Sequence, residues 1–311
     1  MNSHRRLWTP SATQIAISGA SGLLGSAIVA RLTAQGYRIL RLVRRPARPG
    51  EITWDPERGR LDPAALEGVD AVVHLSGEPV GARWSPGRKV RIRRSRVEST
   101  RLLSETIAGL ARKPEVLISA SAIGIYGNRG DEVLTEASPP TSDPGDFLAS
   151  VVRQWEDAAE SARSAGVRVV HPRFGVVLSR QGGALEKLLP AFRMGVGGRM
   201  GDGRQWMSWV SLDDAAGAIE HGLMTAGLQG PVNVTAPEPA TNADFTRTLG
   251  QVLSRPTRFR IPSGVLRLAL GEMASGTILA SARVLPAKLL GSGYRFHHST
   301  LDRALRDVVG A

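Results

Sequence analysis

The stretch Ile15-Ala-Ile-Ser-Gly19-Ala-Ser-Gly22-Leu-Leu-Gly25 decides the fold. An apolar run, Gln14–Ser18, leads directly into glycines spaced G-x-x-G-x-x-G, and then into a segment whose Leu24, Ile28 and Leu32 recur at helical spacing. Glycine suits a sharp backbone turn, and it suits a backbone that must approach a pyrophosphate with no Cβ in the way. Gly25 would let the helix pack tightly on the strand. The unpaired N–H groups and partial positive charge of a helix N-terminus complete an anion cradle. At a first strand–helix junction this spacing predicts dinucleotide binding by Gly19, Ser21, Gly22, Leu23, Leu24 and Gly25.

Working outward, residues 37–43 and 52–54 read as strands and 70–75 (DAVVHL) as a strongly apolar one. A helix is predicted over 86–111, a strand over 115–119, a Gly/Pro/Asp-rich loop over 121–145, a helix to 165 and a strand over 167–172. Such βαβα alternation, with strands too uniformly apolar to have a wet face, predicts a Rossmann-type doubly wound α/β fold with its parallel sheet covered on both sides. The main domain is placed at 14–175, behind a flexible extension at 1–13. Residues 176–311 read as a small substrate lobe. It has helical pieces at 183–193, 212–225 and 242–253, and is mostly helical over 263–309.

The 311-residue chain, 42% hydrophobic and 22% charged, has the composition of a globular protein, not a disordered one. With no cysteine, disulfides, thiolate metal sites and cysteine nucleophiles are excluded. The six histidines lack ligand-like spacing, and no metal is expected. No apolar run is long enough to span a membrane, and the first fourteen residues lack a signal-type apolar core, so the expected location is the cytoplasm. The net charge is +12, and only four of the 40 basic residues are lysines (Lys89, Lys113, Lys187, Lys288). Arginines occur in nearly every segment, which reads as a basic surface, not a nucleic-acid site. The densest patch, Arg88, Lys89, Arg91, Arg93, Arg94 and Arg96, is read mainly as the solvated face of a helix. One or two of its side chains remain open to an anionic ligand.

The end of the second strand selects the cofactor. An acid there would bind the ribose hydroxyls of NAD; this strand ends Leu42-Val43-Arg44-Arg45. A guanidinium can grip a 2′-phosphate in a fork, whereas a carboxylate repels it. Arg44 and Arg45 therefore predict NADP(H) in preference to NAD(H).

With DAVVHLSGEPVGARWSPGRK, ISASAIGIYG, GDGRQWMSWVSLDDAAGAI, PVNVTAPEP and RVLPAKLLGSGYRF in view, the chain resembles the extended short-chain dehydrogenase/reductase superfamily, in its NAD-dependent epimerase/dehydratase group. Within it, the chain resembles an atypical branch with a C-terminal domain of unknown function. The resemblance spans about residues 14–308. It implies a cofactor turn at Leu75-Ser76-Gly77, an adenine-side acid at Asp55, and Ser119 and Ser121 on the fifth strand, with Ser121 bonding the reacting oxygen. It also implies that Arg173-Phe174-Gly175 passes beside the nicotinamide. The superfamily's Tyr-x-x-x-Lys dyad falls on Phe147 and Val151, which can neither transfer nor tune a proton. Tyr126 is a substitute acid candidate, with core packing as the alternative. Glu78 is a candidate base or, preferably, a structural carboxylate beside the cofactor.

Arg83, Trp84 and Trp206 are the substrate-side candidates, since indole faces suit a sugar or aromatic ring and arginine suits an anion. The expected function is an NADP-dependent oxidoreductase or epimerase of a small polar, sugar-like or anionic molecule. The alternative is a non-catalytic dinucleotide-binding regulator, a role some relatives have in division control. Helices at 86–111 and 144–165 offer a candidate homodimer seam.

Overall fold

A computed structural model describes residues 8–310. The strands are β1 (Gln14–Ser18), β2 (Arg38–Val43), β3 (Glu51–Asp55), β4 (Arg60–Leu61), β5 (Ala71–His74), β6 (Val116–Ser119), β7 (Ser121–Ala122), β8 (Val133–Leu134) and β9 (Arg168–Phe174). In the main sheet the order is Gly230–Val234, β9, β6, β5, β1, β2, β3, β4, with β7 extending the β6 side onto β9. Every pair is parallel except β3 with β4. The order reverses direction at β1, and the C-terminal ends of β1 and β5 open a crevice there, the usual ligand position of such sheets.

The helices α1 (Leu23–Ala34), α2 (Pro86–Gly109), α3 (Phe147–Asp157), α4 (Glu160–Ser164), α5 (Gly183–Arg193), α6 (Leu212–Met224) and α7 (Asn242–Val252) follow in chain order. Successive strand residues point to opposite faces. Ile15 and Ile17 enter one core with Ile28 of α1 and Ile219 of α6, while Ala16 enters the other with Leu103 and Ile107 of α2. Both faces are dry, which is why β1 and β5 read as uninterrupted apolar runs.

Three expectations change. The main sheet takes Gly230–Val234 from beyond the boundary expected at 175, because β9 has an open edge that this segment pairs along its whole length. The helix expected to reach 165 breaks into α3 and α4. The segment 263–309 is less helical than its composition suggests. It holds Ser263–Leu270, a π-helix Ala274–Ile278, a short strand Arg283–Val284, Ala287–Gly291 and Leu301–Val309. The short strand pairs with β8, and buried Asp214 of α6 accepts the N–H groups of His297 (2.8 Å) and His298 (2.9 Å), which pins the tail to the main body.

Of the extension expected at 1–13, residues 1–7 lie outside the described residues. Over 8–13 the chain is held: Trp8 Nε1 donates to Glu115 Oε2 (3.0 Å) and Pro10–Ala12 forms a 3-10 turn. Among the described residues no helix is long and apolar enough to cross a membrane.

Candidate functional site

At the C-terminal ends of β1, β2 and β5 lies a cleft of about 970 Å³. The first crossover presents Gly19, Ser21 and Gly22 to it, and the β5 turn presents Leu75, Ser76, Gly77 and Glu78. Two glycines there are dictated by geometry. Gly19 has φ +69°, and a Cβ on it would come within 2.8 Å of the Leu75 carbonyl carbon; one on Gly25 would come within 2.0 Å of Gly19 O. Side chains cap other helices: Ser85 for α2, Asp146 for α3, Ser211 for α6 and Thr241 for α7. Gly22 leaves the first N–H groups of α1 without such a cap, so they face the cleft free to meet an anion.

The expected pair of guanidiniums is only half available. Arg44 and Arg45 both line the cleft. Arg45, however, grips Glu51 with two parallel bonds of 2.7 Å. Its guanidinium holds the Glu51 carboxyl down at about 2. The side chains of Arg44, just past β2, and of Arg41, within it, line the cleft with no hydrogen bond or ion pair to any described residue. Sequence reading missed Arg41, and it also missed Arg91 and Arg94, which α2 brings to the opposite wall from the run read as a solvated face. Arg94 is paired to Glu98 (3.0 Å), and Arg91 approaches Glu78 (3.8 Å) as Arg88 does. The Glu78 carboxylate thus lies between two guanidiniums at the cleft wall.

Several cofactor candidates do not reach the cleft wall. Leu24 packs into the core, and Leu23 turns toward Gly182. Asp55 caps its own turn through the Arg58 N–H (3.2 Å), leaving Trp54, Pro56 and Glu57 to line the cleft. Ser119 is fully buried. Phe174 packs on the core, and Gly175 is required because a Cβ would stand 2.4 Å from Ser208 O.

Beneath the cleft, His74 sits between Ser18 Oγ (2.5 Å) and Ser99 Oγ (3.1 Å), and burial lowers it to about 3, so it is neutral.

Ser121 is buried off the cleft wall, in a network closed upon itself. Ser121 Oγ donates to Glu156 Oε1 (2.5 Å), and Arg173 engages both oxygens of Glu156 at 2.8 Å. Burial alone would raise the Glu156 carboxyl, but the guanidinium outweighs it and holds it below the ordinary range. Burial would likewise lower Arg173, and Glu156 reverses that.

Arg173 Nη1 also donates to the Tyr126 hydroxyl (3.0 Å), which lies 2.8 Å from Asn233 Oδ1. Tyr126 is fully buried, and burial pushes its phenol up. The expectation that it faces the cleft as an acid is therefore corrected: it is a core residue whose hydroxyl is used within the protein. Glu156 and Arg173 carry the network and were not predicted as a pair. The available signal was a charge inside the apolar strand VVHPRF.

Phe147 and Val151 occupy the dyad positions at the start of α3, where Val151 packs with Trp84, Ile92 and Met273. Trp84 is buried and donates to Val80 O (2.9 Å), so it is no open platform. Arg83 reaches Leu268 O (2.9 Å) on the tail. Trp206 stands apart from both, donating to Asp131 Oδ1 (2.8 Å) with the Arg283 guanidinium 4.4 Å over its ring.

Comparison with known proteins places this architecture. Residues 15–234 match the NAD dependent epimerase/dehydratase family, a span that takes in the added strand Gly230–Val234. Residues 261–308 match a domain of unknown function (DUF1731). The epimerase family protein Mb2239 of Mycobacterium bovis is 45% identical over 295 residues, covering 94% of this chain and 96% of that one. The epimerase family protein YfhF of Bacillus subtilis is 37% identical over 301 residues, covering 95% and 97%. The crystal structure of human epimerase family protein SDR39U1 (isoform 2) with NADPH superposes with a TM-score of 0.87 at 32% identity, covering 96% of this chain and 99% of that one. The chain belongs to the NAD dependent epimerase/dehydratase family, within the short-chain dehydrogenase/reductase superfamily, and carries the DUF1731 domain at its C-terminus.

Proposed function

We propose that the chain binds NADP(H) in this cleft and acts as an oxidoreductase or epimerase on a small polar or sugar-like substrate. The carrying observation is Arg44, just past the end of β2 where an NAD site would place an acid, together with Arg41 within β2; both line the cleft, and neither side chain has a hydrogen bond or ion pair to a described residue. The cradle fits a dinucleotide. Gly19 and Gly25 allow the close backbone approach, uncapped α1 meets the diphosphate, and free guanidiniums suit the extra phosphate. A 32%-identical relative solved with NADPH supports the same choice. When bound, the cofactor supplies or takes up hydride.

The chain's own residues bind and orient. Ser121, its proton directed at Glu156, offers oxygen lone pairs to a substrate hydroxyl. The Glu156–Arg173 pair holds that serine in place. Phe147 and Val151, at the positions the resemblance assigns to the dyad, carry no transferable proton, and this observation favours the second reading, a dinucleotide-binding regulator without turnover.

The test is calorimetric titration with NADPH and NADH, followed by nicotinamide absorbance across a substrate panel. NADPH is expected to bind tighter by about tenfold or more, from one or two charge-assisted bonds. Binding of neither coenzyme overturns the proposal, and tight binding without turnover selects the regulator.

A further inference from the structure

The dyad position is covered by cations. The Phe147 ring meets the Trp84 ring edge-on at 5.2 Å between centroids. Lys89 Nζ lies 5.0 Å and Arg93 Cζ 6.0 Å from its centre, within cation–π reach. Residues 89 and 93 are four apart on α2 and so share a face.

Lys89 is answered by one exposed carboxylate and Arg93 by none. Lys113, Lys187 and Lys288 each donate to a main-chain carbonyl, whereas Lys89 pairs with a carboxylate, Glu272. The Arg93 side chain is exposed and has no hydrogen bond or ion pair to any described residue. Glu272 comes from the C-terminal tail, beside the π-helix Ala274–Ile278. Such helices are rare and concentrate at functional sites. This one is pressed against the same corner, since a Cβ on Gly276 would stand 3.0 Å from Trp84 Cη2.

We propose that Lys89 and Arg93, over Phe147, form an oxyanion subsite for the substrate, which Glu272 occupies in the substrate's absence. A carboxylate or phosphate carried by the substrate replaces Glu272 and meets both cations where Glu272 meets one. The inference rests on the cofactor reading above and adds a substrate class: a molecule that carries an anionic group. Displacement is easy, because Lys89 and Glu272 keep 31% and 47% of their side-chain surface exposed, and an exposed pair is weak.

The small number of lysines supplies a local probe. Reductive methylation with labelled formaldehyde leaves four lysine side-chain signals to resolve, and Lys89→Arg identifies the one that matters. NADPH-loaded protein is titrated with inorganic phosphate and, separately, with succinate. The Lys89 signal is expected to move saturably in the millimolar range with at least one of them. Glu272→Gln should tighten that binding about twofold to fivefold, and Arg93→Gln should weaken it by a similar factor. Response to phosphate alone assigns a phosphoryl group, and response to succinate alone a carboxylate. A Lys89 signal unmoved by both anions in Glu272→Gln, or no gain on removing Glu272, overturns the proposal. Because the signal is local it reads the subsite with or without NADPH, so loss of coenzyme binding would be recognised separately as failure of the cofactor reading.

Discussion

The wall of the cleft and the buried network around Ser121 follow opposite rules. At the first, polar groups are left unanswered: α1 has no side-chain cap, and the side chains of Arg41 and Arg44 have no partner among the described residues. At the second, Ser121, Glu156, Arg173, Tyr126 and Asn233 answer one another. Buried polar groups must be satisfied. A group reserved for a ligand is therefore recognised by what the protein leaves unbonded, and residue type alone does not reveal it. Arg45 lines the cleft as Arg44 does, yet Glu51 holds it.

The contrast breaks first if the buried network is not held together by its ion pair. Arg173→Ala strands the buried Glu156 charge and should cost about 3–5 kcal/mol in denaturant unfolding. An unchanged midpoint would remove the pair from the account. Next comes the cleft wall. Arg44→Asp should weaken NADPH by roughly tenfold to a hundredfold by calorimetry while changing NADH far less, and Arg45→Ala should have a smaller effect because Glu51 already engages that side chain. Equal losses for the two coenzymes from Arg44→Asp would refute NADP selection.

A third effect lies beneath the cleft. Burial lowers His74 to about 3, below the ordinary value near 6.5 of the unfolded chain. Its contribution is therefore fully present above about pH 6.5 and is lost as pH falls from there toward 3, at about 1.4 kcal/mol per pH unit. His171, also lowered by burial, adds to the slope. Unfolding midpoints measured between pH 7 and 5 should fall, and His74→Asn should fall less steeply; parallel curves would show that His74 is not the group responsible.

The smallest effect sharpens the contrast. Tyr126→Phe should cost about 1–2 kcal/mol of stability, since it leaves Arg173 Nη1 and Asn233 Oδ1 short of a partner. NADPH affinity should be untouched. A selective loss of turnover or of coenzyme binding at unchanged stability would return Tyr126 to the cleft.

The first crossover is legible in the chain itself. The glycines at 19, 22 and 25, the apolar run before them and the helical spacing after them are local consequences of backbone sterics and of a strand dry on both faces. That Phe147 and Val151 carry no titratable group is legible in the same way, whereas their place at the dyad positions is what the resemblance implies. The strand Gly230–Val234 is not legible, since its place depends on an open edge of β9 far away in sequence. Nor is the use made of each charge. Glu51 takes Arg45 and leaves Arg44, Glu156 reaches Ser121, and α2 turns Arg91 and Arg94 into the cleft but Lys89 and Arg93 over Phe147. Local sequence thus determined the cradle and the second strand's arginines. Which charges stay free for a ligand was decided by tertiary structure alone, because an ion pair depends on distance in space and on exclusion of water, neither of which a linear pattern contains.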